Sequence, residues 1–354
     1  MSDTIQVRQG EELDIPALDT FLLRHVEGYP EDGELTVRQF ALGHSNLTYE
    51  LGKGAWKAVL RRPPHGPVAP KAHDMRREYI VLGSVSPLFP AAPRPYLYSD
   101  DTSVVGSPFL LMERKEGIVL DTDFPEGLQP TRELCREISE RMADTLADLH
   151  RVEYAGTELA AISHPEGFMA RQAEGWIDRY ERSKTDDLPE VEPLKKWLLD
   201  RVPESREAAI IHYDFKLNNA MFAPDFSRVT GLFDWEMSTV GDPLADLGAA
   251  MSYWVQGDDP ELLLTAFEKP PVTVMDGFLT RREFMERYAQ KSGRDISAMP
   301  YYITFAYFKL AVICQQIYYR WKKGQTKDER FARFGLVVRN LVQMAREMSA
   351  MSRW

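Results

Sequence analysis

Residues 210–247 read IIHYDFKLNNAMFAPDFSRVTGLFDWEMSTVGDPLADL. In this stretch His212, Asp214 and Asn219 form the pattern H-x-D-x-x-x-x-N, and Asp234 follows after a segment that reads as a tight β-hairpin. Phosphoryl transfer from a nucleotide needs a carboxylate to receive the proton of the attacking hydroxyl, and an amide oxygen and a second carboxylate to hold magnesium against the phosphates. Asp214, Asn219 and Asp234 supply that set in that order. The apolar runs at 209–211, 220–222 and 229–233 predict short strands, which place the polar groups at strand ends, with Pro224-Asp225 turning the chain between two of them. Any one of these residues alone could equally cap a strand or a helix. Four in register with the strands point to a nucleotide-dependent phosphotransferase site.

The stretch resembles the catalytic and metal-binding segments of the aminoglycoside phosphotransferase and choline kinase family, relatives of protein kinases. His212-Tyr213-Asp214 stands where that family has His-Gly-Asp, and Asp234-Trp235-Glu236 where protein kinases have Asp-Phe-Gly. Nearly the whole chain is similar to the kinase-like domain fused to, or encoded beside, acyl-CoA dehydrogenases. The resemblance implies a two-lobed α+β fold, with a small antiparallel-sheet lobe over residues 1–113 and a mostly helical lobe over 114–354. It implies ATP or GTP with Mg2+ as cofactors, Asp214 and His212 as catalytic residues, and Asn219 and Asp234 on metal.

Working outward, residues 14–27 place Leu18, Phe21, Leu22 and Val26 at helical spacing behind a cap at Asp14. Strands are predicted at 35–40, 48–51 and 56–61, joined by the turns 43–47 and Gly52-Lys53-Gly54. Gly43, Ser45 and Asn46 at the first turn suit a phosphate chain, since backbone N–H groups and short polar side chains can lie over it. The same composition makes an ordinary turn. By resemblance, this turn covers the nucleotide. Alternation along 56–61 puts Lys57, Val59 and Arg61 on one face and Trp56, Ala58 and Leu60 on the other. The kinase pattern has lysine where this chain has Arg61, a forked guanidinium that can pair with phosphate oxygens and a carboxylate, with Lys57 as the fallback cation. The resemblance makes Glu78, on a helix predicted over 72–85, the carboxylate that braces this cation. It also gives the adenine edge to the backbone past a buried strand at 109–113, at Met112, Glu113 and Lys115.

A long helix is predicted over 131–151, ending at a structural His150, and further helices over 162–205 turn at Thr185-Asp186-Asp187, where the family builds part of its acceptor site. Asp242-Pro243 starts a helix to about residue 253; Asp246, one turn in, either braces the catalytic loop, as the resemblance implies, or simply favours the helix N-terminus. Residues 299–322 are apolar on most sides, so Lys309 among them either pairs with a buried acid or lines the substrate cleft. A last helix is predicted over 331–348.

The 354 residues, 44% hydrophobic and 27% charged, suffice for two lobes that each bury a core. A net charge of −11 argues against nucleic acid as a partner. The start MSDTIQVRQGEELD has no signal pattern and no run approaches the roughly twenty apolar residues of a membrane span, so no membrane and a cytoplasmic location are expected. Cys135 and Cys314 match no metal spacing and read as reduced core residues. The expected activity is phosphorylation of a small-molecule hydroxyl. A cationic acceptor such as an aminoglycoside or choline would want an acidic pocket, and a hydroxyacyl or hydroxyacyl-CoA acceptor a basic one, with an acyl-CoA dehydrogenase as the implied partner. The competing readings are a nucleotide-binding module without turnover, acting as sensor or partner, and a hydrolase.

Overall fold

The computed structural model describes residues 3–41, 46–64, 73–264, 269–326 and 328–351. Six strands form one antiparallel sheet in the order β1-β2-β3-β4-β6-β5, where β1 is Thr4–Ile5, β2 Thr36–Phe40, β3 Leu47–Lys53, β4 Trp56–Arg62, β5 Pro95–Ser99 and β6 Phe109–Glu113. Alternation along β4 sorts its side chains between two cores. Ala58 and Leu60 pack with Tyr49, Leu51, Phe109 and Leu111 against Leu18 and Leu22 of the N-terminal helix Ile15–His25. On the other face Val59, Leu110 and Met112 meet the helix Met75–Val85, and this core continues into the rest of the molecule. Both helices start on an aspartate whose side chain accepts a backbone N–H, Asp14 from Ala17 and Asp74 from Arg77.

The larger lobe is built on helices. Arg132–Leu149 lies in the core through Ile138, Met142 and Leu146, and Met299–Lys322 is buried on most sides as far as Gln315. Pro243–Tyr253 packs tightly on the latter helix because Gly248 has no side chain: a Cβ there would sit 2.8 Å from the Tyr302 carbonyl oxygen. Five short strands accompany the helices. Ile118–Val119 (β7), Ala220–Phe222 (β9) and Val229–Leu232 (β10) form one antiparallel set, and Ala209–Ile211 (β8) pairs with Thr239–Gly241 (β11).

The turn expected at Gly52-Lys53-Gly54 falls later. Lys53 belongs to β3, its ammonium buried against Asp19 at 2.9 Å and over the ring of Tyr29, so only Gly54 and Ala55 turn the chain. The last helix is Phe334–Ser349, starting three residues after the expected position because Asp328 caps a 3-10 turn over Glu329–Arg333. Cys135 and Cys314 are buried free thiols. Among the described residues no helix is long and apolar enough to cross a membrane.

Candidate active site

The loop leaving β8 is pinned by Asp246, in the first turn of Pro243–Tyr253. Its carboxylate accepts the backbone N–H of His212 at 2.6 Å and that of Tyr213 at 2.8 Å, and faces His150 Nε2 at 3.1 Å. His150 Nδ1 lies 2.7 Å from the Tyr288 hydroxyl. His212 donates from Nε2 to the Phe233 carbonyl at 2.8 Å and accepts the Asp214 N–H at Nδ1, 3.3 Å away. Burial pulls its pKa down, which keeps the neutral tautomer that can do both.

Asp214 follows with its carboxylate held by Asn219 Nδ2 at 3.0 Å and Lys216 Nζ at 2.9 Å, beside the buried hydroxyl of Tyr253. Asn219 Nδ2 also donates to the Asp214 carbonyl at 2.9 Å, and the Asn219 carbonyl accepts the Phe233 N–H at 2.9 Å. The amide nitrogen of Asn219 is therefore committed to Asp214, which leaves Oδ1 as its open acceptor. Asp234 sits in the left-handed region at φ +69°. Its Oδ1 takes Arg61, while among the described residues nothing takes Oδ2. An open amide oxygen and an open carboxylate oxygen fit magnesium, a hard cation that keeps several waters and completes its shell with phosphate oxygens.

Arg61, buried at the end of β4, donates from Nη1 to Glu78 and from Nη2 to Asp234, each at 2.6 Å. The sequence reading gave the second arm to phosphate; here it closes on Asp234, with Glu236 at 4.0 Å. Lys57 is exposed and faces Glu116 at 3.4 Å, away from these acids. Three carboxylates around one guanidinium leave excess negative charge. Burial pushes Glu78 up to about 7, opposed by Arg61 and reinforced by Asp234 and Glu236. Burial also resists the charge on Asp234, but Arg61 prevails and holds that carboxyl below its usual range. Glu236 is raised by burial and by Asp234.

Asn46 donates to Glu236 at 3.2 Å and its Oδ1 faces His73 Nδ1 at 2.8 Å. Gly43 and Ser45 lie outside the described residues. At the end of β6, Met112 pairs with Val59 and Pro95. Glu113 exchanges bonds with the backbone of Arg94, and Lys115 reaches the Pro90 carbonyl at 2.9 Å. Arg114, within the same stretch, ties it to Glu50 at 2.8 Å and also to Asp3.

Sequence reasoning also missed a cleft of about 350 Å³ lined by Arg77, His164, Arg171, Trp176, Arg179 and Tyr213, among others, with no Asp or Glu in its wall. Arg77 donates to the Ser238 carbonyl at 3.0 Å, Arg171 to the carbonyls of Glu166 and His164, and Arg179 lies 4.7 Å over the Trp176 ring. Among the described residues none of the three pairs with a carboxylate. Arg171 and Arg179, eight apart on the helix Phe168–Ser183, share one face, which is the signal that would have found them. Lys309 is buried, its ammonium 3.2 Å from the Tyr213 carbonyl oxygen and 3.5 Å from the centre of the Tyr213 ring. Neither expectation for it holds as stated: it contacts the residue before Asp214 rather than an acid, and it lies behind the cleft wall.

Residues 36–271 match the model of a family described as phosphotransferase enzymes. Among curated proteins, the chain is 33% identical over 98% of its length to acyl-CoA dehydrogenase family member 11 of Gallus gallus, and spans 45% of that protein. Among solved structures, a putative aminoglycoside phosphotransferase of Ralstonia eutropha superposes with a TM-score of 0.80 at 29% identity, covering 96% of this chain and 98% of its own. A choline kinase of Cryptosporidium parvum gives 0.65 at 12% identity, covering 94% and 96%, a likeness of fold.

Proposed function

The chain belongs to the phosphotransferase enzyme family; on that premise we propose that it acts on a hydroxyl of a small molecule, with ATP or GTP and magnesium as the donor and an anionic hydroxyacyl compound, such as a hydroxyacyl-CoA, as the acceptor. When bound, magnesium neutralises charge on the transferring phosphoryl group. Asn219 and Asp234 would hold it through their open oxygens. Asp214 receives the acceptor's proton, oriented by Asn219 and Lys216. His212 joins the loop of Asp214 to the segment of Asp234 and so fixes their spacing. Arg61, with its two arms on Glu78 and Asp234, fixes Asp234 and adds positive charge beside the phosphates. Asn46 covers the nucleotide, and the backbone from Met112 through Glu113 to Lys115 receives the adenine edge at the boundary between lobes, taken at residues 113 and 114.

The observation that carries the acceptor class is the arginine-lined cleft, walled on one side by Tyr213, the neighbour of Asp214. A cationic acceptor would meet guanidinium groups without compensating acids, at about 4 kcal/mol for one pair of charges 4 Å apart near the protein surface. An anionic group gains the corresponding attraction, and arginine forks suit phosphate and carboxylate. The length and name of the Gallus gallus relative support an acyl-CoA dehydrogenase as the functional partner. A panel of hydroxyacyl-CoAs and kanamycin-like amines, assayed with MgATP, tests the reading. Wild type should phosphorylate a member of the first group, and Arg179→Glu should raise its KM by about tenfold with kcat little changed. Phosphorylation of an amine and of no hydroxyacyl-CoA would overturn the acceptor class.

A further inference from the structure

Tyr213 occupies the position before Asp214 with φ at +65°, a left-handed conformation that glycine adopts freely and that tyrosine rarely takes. Every polar atom of this residue is held. Its N–H goes to Asp246 at 2.8 Å, its carbonyl accepts from Lys309 at 3.2 Å, and its hydroxyl meets Gln172 at 3.2 Å. The ring stands edge-on to Phe168 and directly beneath the Lys309 ammonium. Lys309 is 4% exposed within the helix Met299–Lys322, and among the described residues no carboxylate forms an ion pair with it. Asp214 and Asp246 attract its charge from farther off, while Lys216 and Arg179 repel it. A buried ammonium so placed is expensive to keep unless it performs a task. The phosphotransfer scheme above does not use it.

Resting on that scheme, we infer that Lys309 is a positioning residue for phosphoryl transfer that acts through Tyr213. It grips the carbonyl and the face of the ring together, and so locks the backbone turn that aims Asp214. The same grip sets the ring as the wall between the acceptor cleft and the helix behind it. With glycine at 213 the turn forms without help, so lysine and tyrosine act as a matched pair. The burial that lowers the Lys309 pKa to about 8 is tolerated because the ring and the carbonyl face the charge.

The test compares wild type, Lys309→Met, Tyr213→Gly and the double variant, reading MgATP hydrolysis without added acceptor and MgATP affinity by calorimetry. Lys309→Met should lower turnover by about tenfold or more with affinity within about twofold, a kcat effect that general loosening of the core would not confine to turnover. Once residue 213 is glycine, the same substitution should change turnover by less than about threefold. Equal loss in both backgrounds, or unchanged turnover in the single variant, overturns the inference. If Lys309→Met alone does not fold, the double variant should fold and match Tyr213→Gly; its failure to do so would make Lys309 part of the core only. A wild type that consumes no MgATP either alone or with the acceptor panel refutes the phosphotransfer scheme separately. The inference is then decided by a crystal structure of Lys309→Met, in which residue 213 should leave the left-handed region, and overturned if it stays.

Discussion

Asp214→Asn keeps the shape of the side chain and removes the carboxylate proposed to take the hydroxyl proton, so kcat should fall by about a thousandfold or more while MgATP affinity stays within about threefold. Turnover within about tenfold of wild type would move the base elsewhere. Arg61→Ala acts differently, because it strands Glu78 and Asp234 without their shared cation, and removing one partner of a buried pair costs about 3–5 kcal/mol. A clear fall in melting temperature with weakened nucleotide binding is expected, whereas Lys57→Ala, at an exposed site, should stay within about 0.5 kcal/mol. An unaltered melting curve for Arg61→Ala would show that the pair contributes nothing. The grouping of Asp214, Asn219 and Asp234 was legible from their spacing and the short strands between them: Asn219 binds the Asp214 carboxylate, and its carbonyl accepts the N–H of Phe233, the residue before Asp234. The second arm of Arg61 was not, since its partner lies 173 residues away and nothing local marks it. Arg171 and Arg179 share a helix face that the sequence could have shown, but Arg77 comes from another helix, and the fold is what brings it to them.

At the level of elements, Gly117 links the sheet to the large lobe with φ at +154°, and an added Cβ would lie 2.2 Å from the Phe222 carbonyl oxygen, which is backbone and cannot swing aside. Gly117→Ala should therefore push β7 off β9, destabilise the fold by about 3 kcal/mol or more, and loosen nucleotide binding at the hinge. A melting temperature within the error of wild type would show that this junction yields. His150 and His212, which connect the catalytic loop to two helices and to Phe233, are both depressed by burial. The unfolded chain then binds more protons below about pH 6.5, so stability is lost as pH falls, by about 1.4 kcal/mol per unit for each histidine once both are fully titrating. Glu78, raised to about 7, runs the other way, gaining stability as pH falls toward 4.5. Glu236, also raised, adds to Glu78, so the histidine contribution is read by difference: between pH 7 and 5.5 the urea midpoint of wild type should move downward relative to that of His150→Gln, and parallel curves would refute it. The strands at 109–113, 209–211 and 220–222 were readable to the residue because apolar runs there end in polar groups. β7 and β11 escaped because two or three residues have no period, and the helix Arg281–Ser292 went unread despite its Thr280–Glu283 capping box.

Taken whole, the molecule carries net negative charge yet sets three arginines around one cleft, so its local field opposes its average. The lobes were legible from the order of strands and helices, but the way they are joined was not. Arg61 on β4, Asn46 at the start of β3 and Arg77 on Met75–Val85 reach, respectively, Asp234, Glu236 and the Ser238 carbonyl. All three fastenings land on one five-residue stretch, the one that begins at Asp234. Parting the lobes means releasing all of them together, so used nucleotide has to wait for a concerted opening. The first product should then appear as a rapid burst, with every later cycle paced by departure of the nucleotide and slowed by solvent viscosity in a way the burst is not.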